Sequence, residues 1–305
     1  MDCITNHSNI SRNFQTIKIY LLVLLCFTCH KGWSTSYDFE TTRLKSTAGA
    51  GVASLLIDES TLLNPAPIAF FNIASFYIQR SDQKTSTREN GIKKLMNDSS
   101  HMGFIASDSK GSLKGSISYH KHEENESQSK RWAIAIASPF GESSAIGLNY
   151  STTKNKVGQA KSQYSNFVFG LTHILDESFS FGLTLKDPFK KDTEYYTGLI
   201  GIQYSYKNLI TLLGDFGGKY NLDFEGESIY KGALQIRVFE DFYLRLGTSS
   251  DDATKEKTTG IGIGWVQPKL SIDFAMKNTE LTSQEESNTQ PTDTKENSFS
   301  LSYRF

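Results

Sequence analysis

The side chains in this 305-residue chain with the most chemical potential can each be weighed against what their chemistry requires. His120-Lys121-His122-Glu123-Glu124 offers imidazoles and carboxylates that could ligate a metal, but the run is crowded with charge and reads as a solvated outer loop. Gly49-Ala50-Gly51 carries the glycines of a phosphate-cradling loop, yet no strand precedes it and a third glycine is missing. A hydrolase needs a nucleophile beside an oriented base; His120 and His173 fall toward opposite rims, and no Ser/His/acid set stands out. Cys3, Cys26 and Cys29 all lie in the first 29 residues, so the rest folds without thiols, which excludes a Cys metal site, a disulfide framework and a Cys nucleophile there. No catalytic residue, metal ligand or cofactor is expected.

The elements that would position any site come from composition and period. Lys and Arg number 32 against 33 Asp and Glu, a net charge of −1, so the basic excess of a nucleic-acid binder is missing. Hydrophobic residues reach only 38% and the mean hydropathy is −0.38, which excludes a helical polytopic membrane protein. Aromatics nevertheless make up 12%, as in a chain that is apolar at every second position.

Residues 1–36 read as a signal peptide. Arg12 and Lys18 precede the apolar run from Ile19 to Cys29, too short to span a bilayer as a helix, and Ser34-Thr35-Ser36 offers small residues for cleavage after Ser36. Beyond residue 68 the period is two. Trp132, Ile134 and Ile136 alternate with Arg131, Ala133 and Ala135; Leu270, Ile272, Phe274 and Met276 alternate with Ser271, Asp273, Ala275 and Lys277. Fourteen such runs follow one another, at 69–80, 102–109, 112–121, 131–138, 143–151, 163–173, 178–186, 194–206, 209–216, 227–238, 241–248, 258–266, 269–279 and 297–305. Short connections such as Lys207-Asn208 and Gln267-Pro268 alternate with longer polar ones at 81–101, 122–130, 152–162, 187–193, 217–226, 249–257 and 280–296.

An even number of strands with short turns at one end and long loops at the other is the pattern of an outer-membrane barrel. The cause is the solvent: in hydrocarbon every backbone N–H and C=O must pair within the protein, so strands span only by closing into a ring. The expected fold is therefore all-β, a transmembrane antiparallel β-barrel over 69–305, preceded by a periplasmic plug segment over 37–68, in the bacterial outer membrane. Apolar-side-outward assignment turns Lys114, Arg131, Lys186, Lys231, Arg237, Arg245, Lys277 and Arg304 into the lumen, with Asp273 as the main opposing charge. Three uses of these cations stand open: pairing with Asp58 and Glu59 of the plug, capture of an anionic head group, or a solvated interior.

Two stretches carry a resemblance. Phe299 to Phe305 alternates to a terminal aromatic, and Tyr303 with Phe305 resembles the C-terminal signature that outer-membrane proteins present to the barrel-assembly machinery. Residues 44–68, with Gly49 and Gly51, the acidic pair Asp58-Glu59 and then Asn64-Pro65-Ala66, resemble the N-terminal region of the FadL/PorV superfamily, though Pro67 stands where that family usually has Gly. The resemblance implies fourteen strands, a lumenal plug, and uptake of a hydrophobic small molecule; its alternatives are a PorV-like docking or shuttle role in secretion, or a structural surface protein. The expected partners are outer-membrane lipids, the assembly machinery and a hydrophobic or anionic small ligand.

Overall fold

The computed structural model describes residues 39–89, 92–189, 196–219, 228–282 and 291–305. The expected signal peptide lies outside these residues. A short helix α1 (Thr42–Ser46) and a 3-10 turn (Ala66–Phe70) precede fourteen antiparallel strands. These are β1 (Ala74–Glu89), β2 (Ile92–Asp108), β3 (Lys114–Glu124), β4 (Ser127–Pro139), β5 (Ser144–Val157), β6 (Ala160–Ile174) and β7 (Phe179–Lys186). Then come β8 (Thr197–Tyr206), β9 (Ile210–Lys219), β10 (Ser228–Arg237), β11 (Phe242–Asp251), β12 (Glu256–Val266), β13 (Leu270–Leu281) and β14 (Thr292–Arg304). Each strand pairs with its sequence neighbours, and β1 pairs with β14, so the sheet closes on itself. The seam is stitched to its end: Ala74 and Phe305 exchange backbone hydrogen bonds of 3.1 and 3.0 Å.

Which side faces out is decided by the period of two. On β4, Trp132 and Ile134 stand 56% exposed, while Ala133 and Ala135 between them are buried. The same holds for Ile261 and Ile263 on β12 and for Phe274 and Met276 on β13. Inside, the buried set is rich in Ser, Thr and Asn: Ser116 and Ser118 on β3, Asn149 on β5, Thr172 on β6, and Ser298, Ser300 and Ser302 on β14. An apolar exterior over a polar interior inverts the arrangement of a water-soluble domain and suits a chain solvated by lipid. The barrel is an outer-membrane barrel.

Turn chemistry at the end shared with Phe305 is local and explicit. Lys207 and Asn208 take φ of 50° and 54°, the two left-handed residues that a tight hairpin needs to match strand twist. Asp176 Oδ1 accepts the N–H groups of Ser178 and Phe179, closing the next turn along.

Three expectations about strand limits are corrected. The first strand begins at Ala74, not at 69, because Pro65 and Pro67 fix φ values that lead into the 3-10 turn and keep residues 66–73 inside the lumen. The stretches 81–101, 122–130 and 152–162 are mostly strand: β1–β2, β3–β4 and β5–β6 continue as ladders, the last two closing at Asn125-Glu126 and Gly158-Gln159. Ladder hydrogen bonds persist in water, so polar side chains on the outer face do not end a strand. The expected alternation of short and long connections thus fails at these hairpins. His120 and His122 are not in a loop either; both point inward from β3 and are buried.

Candidate functional site: a plugged lumen

Residues 39–73 fill the middle of the barrel, and bonds within the segment and from the wall satisfy much of its backbone, as a buried irregular segment requires. Thr41 Oγ1 caps α1 by accepting the N–H of Leu44 at 3.1 Å. Tyr77 OH on β1 accepts the N–H of Thr42 at 2.9 Å. After α1 the chain turns at Ala48 and Gly49, with φ of 51° and 79°, and Lys231 on β10 donates to the Gly49 carbonyl at 3.3 Å. The N–H groups of Gly51 and Val52 both donate to Asp215 on β9, at 2.8 and 3.2 Å. Ser180 Oγ donates to Ala53 O at 2.9 Å, and Asn149 Nδ2 to Thr61 O at 2.7 Å. Asn64 Nδ2 reaches Val52 O at 2.7 Å and Thr172 Oγ1 at 3.0 Å, while its Oδ1 accepts the N–H of Ala66. Pro65 then packs over Gly147 and Gly170. Where the plug leaves for the wall, Lys114 Nζ donates to Ala69 O and Phe71 O, both at 2.7 Å.

Inward glycines make this approach geometrically feasible. A Cβ at Gly147 would stand 2.6 Å from the Ala66 N, and one at Gly182 would land on the Val52 carbonyl. On the far wall, Gly247 and Gly260 back onto Thr47 and Lys45 in the same way. Small residues on the inner face therefore trace the path of the plug, Gly260 and Gly262 of β12 backing onto Lys45 and Ser46.

The charges sort into pairs. Lys45 of α1 is 1% exposed, its Nζ 2.6 Å from Glu296 on β14 and 2.8 Å from Ser81 on β1. Lys277 meets Glu40 at 2.6 Å. Glu59 is held by Arg43 of the plug itself at 2.9 Å and by Thr41, not by a wall cation, because α1 and the turn at 58–60 lie side by side. Asp58 does turn to the wall, accepting from Ser75 and Ser302 at 2.9 Å with Arg304 at 4.0 Å. Arg245 pairs with Asp273 and donates to Gln235. Arg237 stays at the turn end, donating to Glu240 O at 2.7 Å. Tyr303 and Phe305 stack on the outer face, ring centroids 6.1 Å apart, beside the seam. Sequence reasoning missed Lys45, Arg43, Glu40, Asp215 and Glu296. For Asp215 the signal was ambiguous, since both faces of 209–216 carry apolar residues; Glu296 lay just outside the expected strand.

Burial raises the Asp58 carboxyl above its ordinary 3.8, a stronger effect than the opposing pull of Arg304, Ser302 and Ser75. A carboxyl raised in the seated plug favours seating below its ordinary pKa and loses that contribution as pH rises through the raised value. Ion leakage through the purified barrel in planar bilayers is thus expected to increase from acid toward neutral pH, and Asp58→Asn to flatten that dependence. A pH-independent leak in the parent protein would count against it.

His101 Nε2 and His120 Nδ1 lie 3.2 Å apart, and Phe39 packs on both rings, its own ring covered by Arg131 at 5.0 Å. Among the described residues no trio of His, Cys, Asp or Glu converges on a point where a metal could sit. The two histidines and Arg131 pack around Phe39 of the plug.

The plug divides the lumen into two chambers. The one toward the hairpin tips holds about 480 Å³; Leu44, Leu62 and Leu63 of the plug and Val168, Leu199 and Ile229 of the wall line it together with many polar side chains, among them Lys186, Lys231, Glu256 and Thr258. The chamber toward the turn end holds about 300 Å³ and is mixed, with Leu55, Leu56, Tyr77 and Val266 beside Gln203, Gln235, Arg245, Asp273 and Arg304.

No family model matches this sequence, and no curated protein sequence matches it. Solved structures do match. The toluene transporter TbuX of Ralstonia pickettii superposes with a TM-score of 0.67 at 9% identity, over 88% of this chain and 99% of that one. The toluene transporter TodX of Pseudomonas putida gives 0.64 at 10% identity, over 89% and 99%. A FadL homologue of Pseudomonas aeruginosa gives 0.57 at 9% identity, over 87% and 98%. At such identities the likeness is one of fold. The chain has the fold of the FadL-type outer-membrane channels.

Proposed function

We propose that this protein is a plugged channel that admits hydrophobic small molecules across the outer membrane. The observation that carries the reading is the chamber on the hairpin-tip side, where Leu44, Leu62 and Leu63 of the plug and Val168, Leu199 and Ile229 of the wall form an apolar patch in a largely polar lining. An apolar patch bordered by polar groups that can orient a ligand is a feature of small-molecule sites. Its volume suits a compact ligand of the size of a monoaromatic hydrocarbon, the cargo class named for the structurally similar TbuX and TodX. Passage onward requires the plug to move, because its peptide groups are bonded to β1, β5, β7 and β9.

Leu199→Trp is expected to fill the chamber without touching the plug's hydrogen bonds. Uptake of radiolabelled toluene by cells expressing the variant should drop to the level of cells lacking the protein, with an unchanged heat-modifiable band. Parent cells that take up toluene no faster than cells lacking the protein would overturn the proposal.

A further inference from the structure

The outer face of the barrel is not uniform above its apolar belt. On β3, β4 and β5 the register places Lys121 opposite Lys130 and Lys130 opposite Lys154. All three alternate with the buried inward residues His120, His122, Arg131 and Thr153, so they point outward in one row. Two residues further from the turn end, Lys156 stands opposite Lys161 of β6 on the same face. Against these five lysines the patch holds Glu123, which pairs with Lys121 at 2.8 Å, and Glu126 at the hairpin tip.

Like charges directly opposite across a ladder repel at a separation of roughly 5 Å, so such a row needs a reason. Elsewhere on this rim acids stand beside the cations: Lys257 is opposite Glu280, Lys84 is opposite Asp98 on one side though Lys295 is on its other, and Arg80 lies 3.5 Å from Asp82. Directly beneath the row, toward the turn end, Tyr119 and Trp132 pack at a tilt with centroids 4.6 Å apart, followed by the exposed Ile117, Ile134, Ile136 and Leu148. Cations above an aromatic girdle above an apolar wall are ordered as a lipid is: charged head, interface, acyl chains.

The geometry points to a binding site on the β3–β6 face for a phosphorylated glycolipid of the outer leaflet. The lysine row takes the phosphates and the Trp132–Ile136 surface takes the acyl chains. Ammonium groups suit this as point charges on flexible stems that reach phosphate oxygens from several angles. The site rests on the outer-membrane reading with the hairpin tips outside, and it is independent of what passes through the lumen. It gives the barrel a fixed lipid neighbour on one side, while the β12–β14 face, with its mixed charges, has none.

The test uses the purified barrel in dodecyl maltoside and native mass spectrometry with bis-phosphorylated lipid A as the probe. Lys121→Gln/Lys130→Gln/Lys154→Gln should weaken lipid A binding by roughly a hundredfold, at about tenfold or less per lysine near an anionic lipid surface. A control with Lys255, Lys257 and Lys295 replaced by Gln should bind as the parent does. Equal binding by the parent and the triple row variant would overturn the site. So would displacement of lipid A by millimolar inorganic phosphate or by phosphatidylglycerol at equal concentration, since either would reduce it to general anion attraction. A heat-modifiable band for every variant separates these outcomes from failure of the barrel itself.

Discussion

Valine at both Gly182 and Gly201 is expected to unseat the plug and turn a sealed barrel into a conducting one. The two glycines stand opposite each other on β7 and β8. A Cβ on the first would land on the Val52 carbonyl, and one on the second would lie 2.7 Å from the Val52 Cβ and 2.9 Å from the Ala53 N. The obstacles are mostly backbone and cannot swing aside. Overpacking costs about 1–3 kcal/mol per site, and two adjacent sites press on the same two plug residues. The barrel itself should tolerate the change, since valine favours strands and the added methyls project into the lumen. In planar bilayers the double variant should conduct steadily where the parent is nearly silent, and its plug should become sensitive to protease added on the turn side. An ion-tight double variant would mean that the plug is held less closely than the wall glycines indicate.

The second large effect concerns Lys45. Its ammonium is buried against Glu296 and Ser81, between α1 and the β1–β14 seam. Removing one member of a buried pair leaves the other charge desolvated and alone, at a cost of about 3–5 kcal/mol. Lys45→Met is therefore expected to lower the unfolding temperature in detergent sharply, and Glu296→Leu to do much the same. The double variant Lys45→Met/Glu296→Leu should recover most of the loss, because no uncompensated charge remains. A loss below about 1 kcal/mol in the single variant, the size of an exposed pair, would show that water reaches this contact.

How much of this could be read beforehand differs between wall and plug. The strand count and the inward side of Lys114, Lys231, Arg245 and Asp273 follow from a period of two, because lipid outside and plug inside impose opposite demands on alternate residues. The limits of β1–β6 did not follow. Serines, threonines and lysines beyond the belt look like loop, whereas the ladder continues in water on backbone pairing alone. His120 was misread for that reason. The plug was visible as Gly49, Gly51 and Asn64-Pro65, but its partners were not: contacts such as Gly51 with Asp215, or Lys45 with Glu296, join positions far apart in the chain, and no local pattern encodes them. Glu59 shows the same limit from the other side, its partner being Arg43 only because α1 folds back beside it.

The arrangement on which the rest depends is a closed ring with lipid on one face and a packed plug on the other. It is tested most directly by nitroxide labels placed singly at residues 131 to 137 of β4 in lipid bilayers. The expected result is a strict alternation: strong collision with dissolved oxygen at 132, 134 and 136, and weak collision with both oxygen and water-soluble nickel chelates at 133 and 135. Equal access of the nickel chelate to both sets would place β4 in water on both faces and contradict the account.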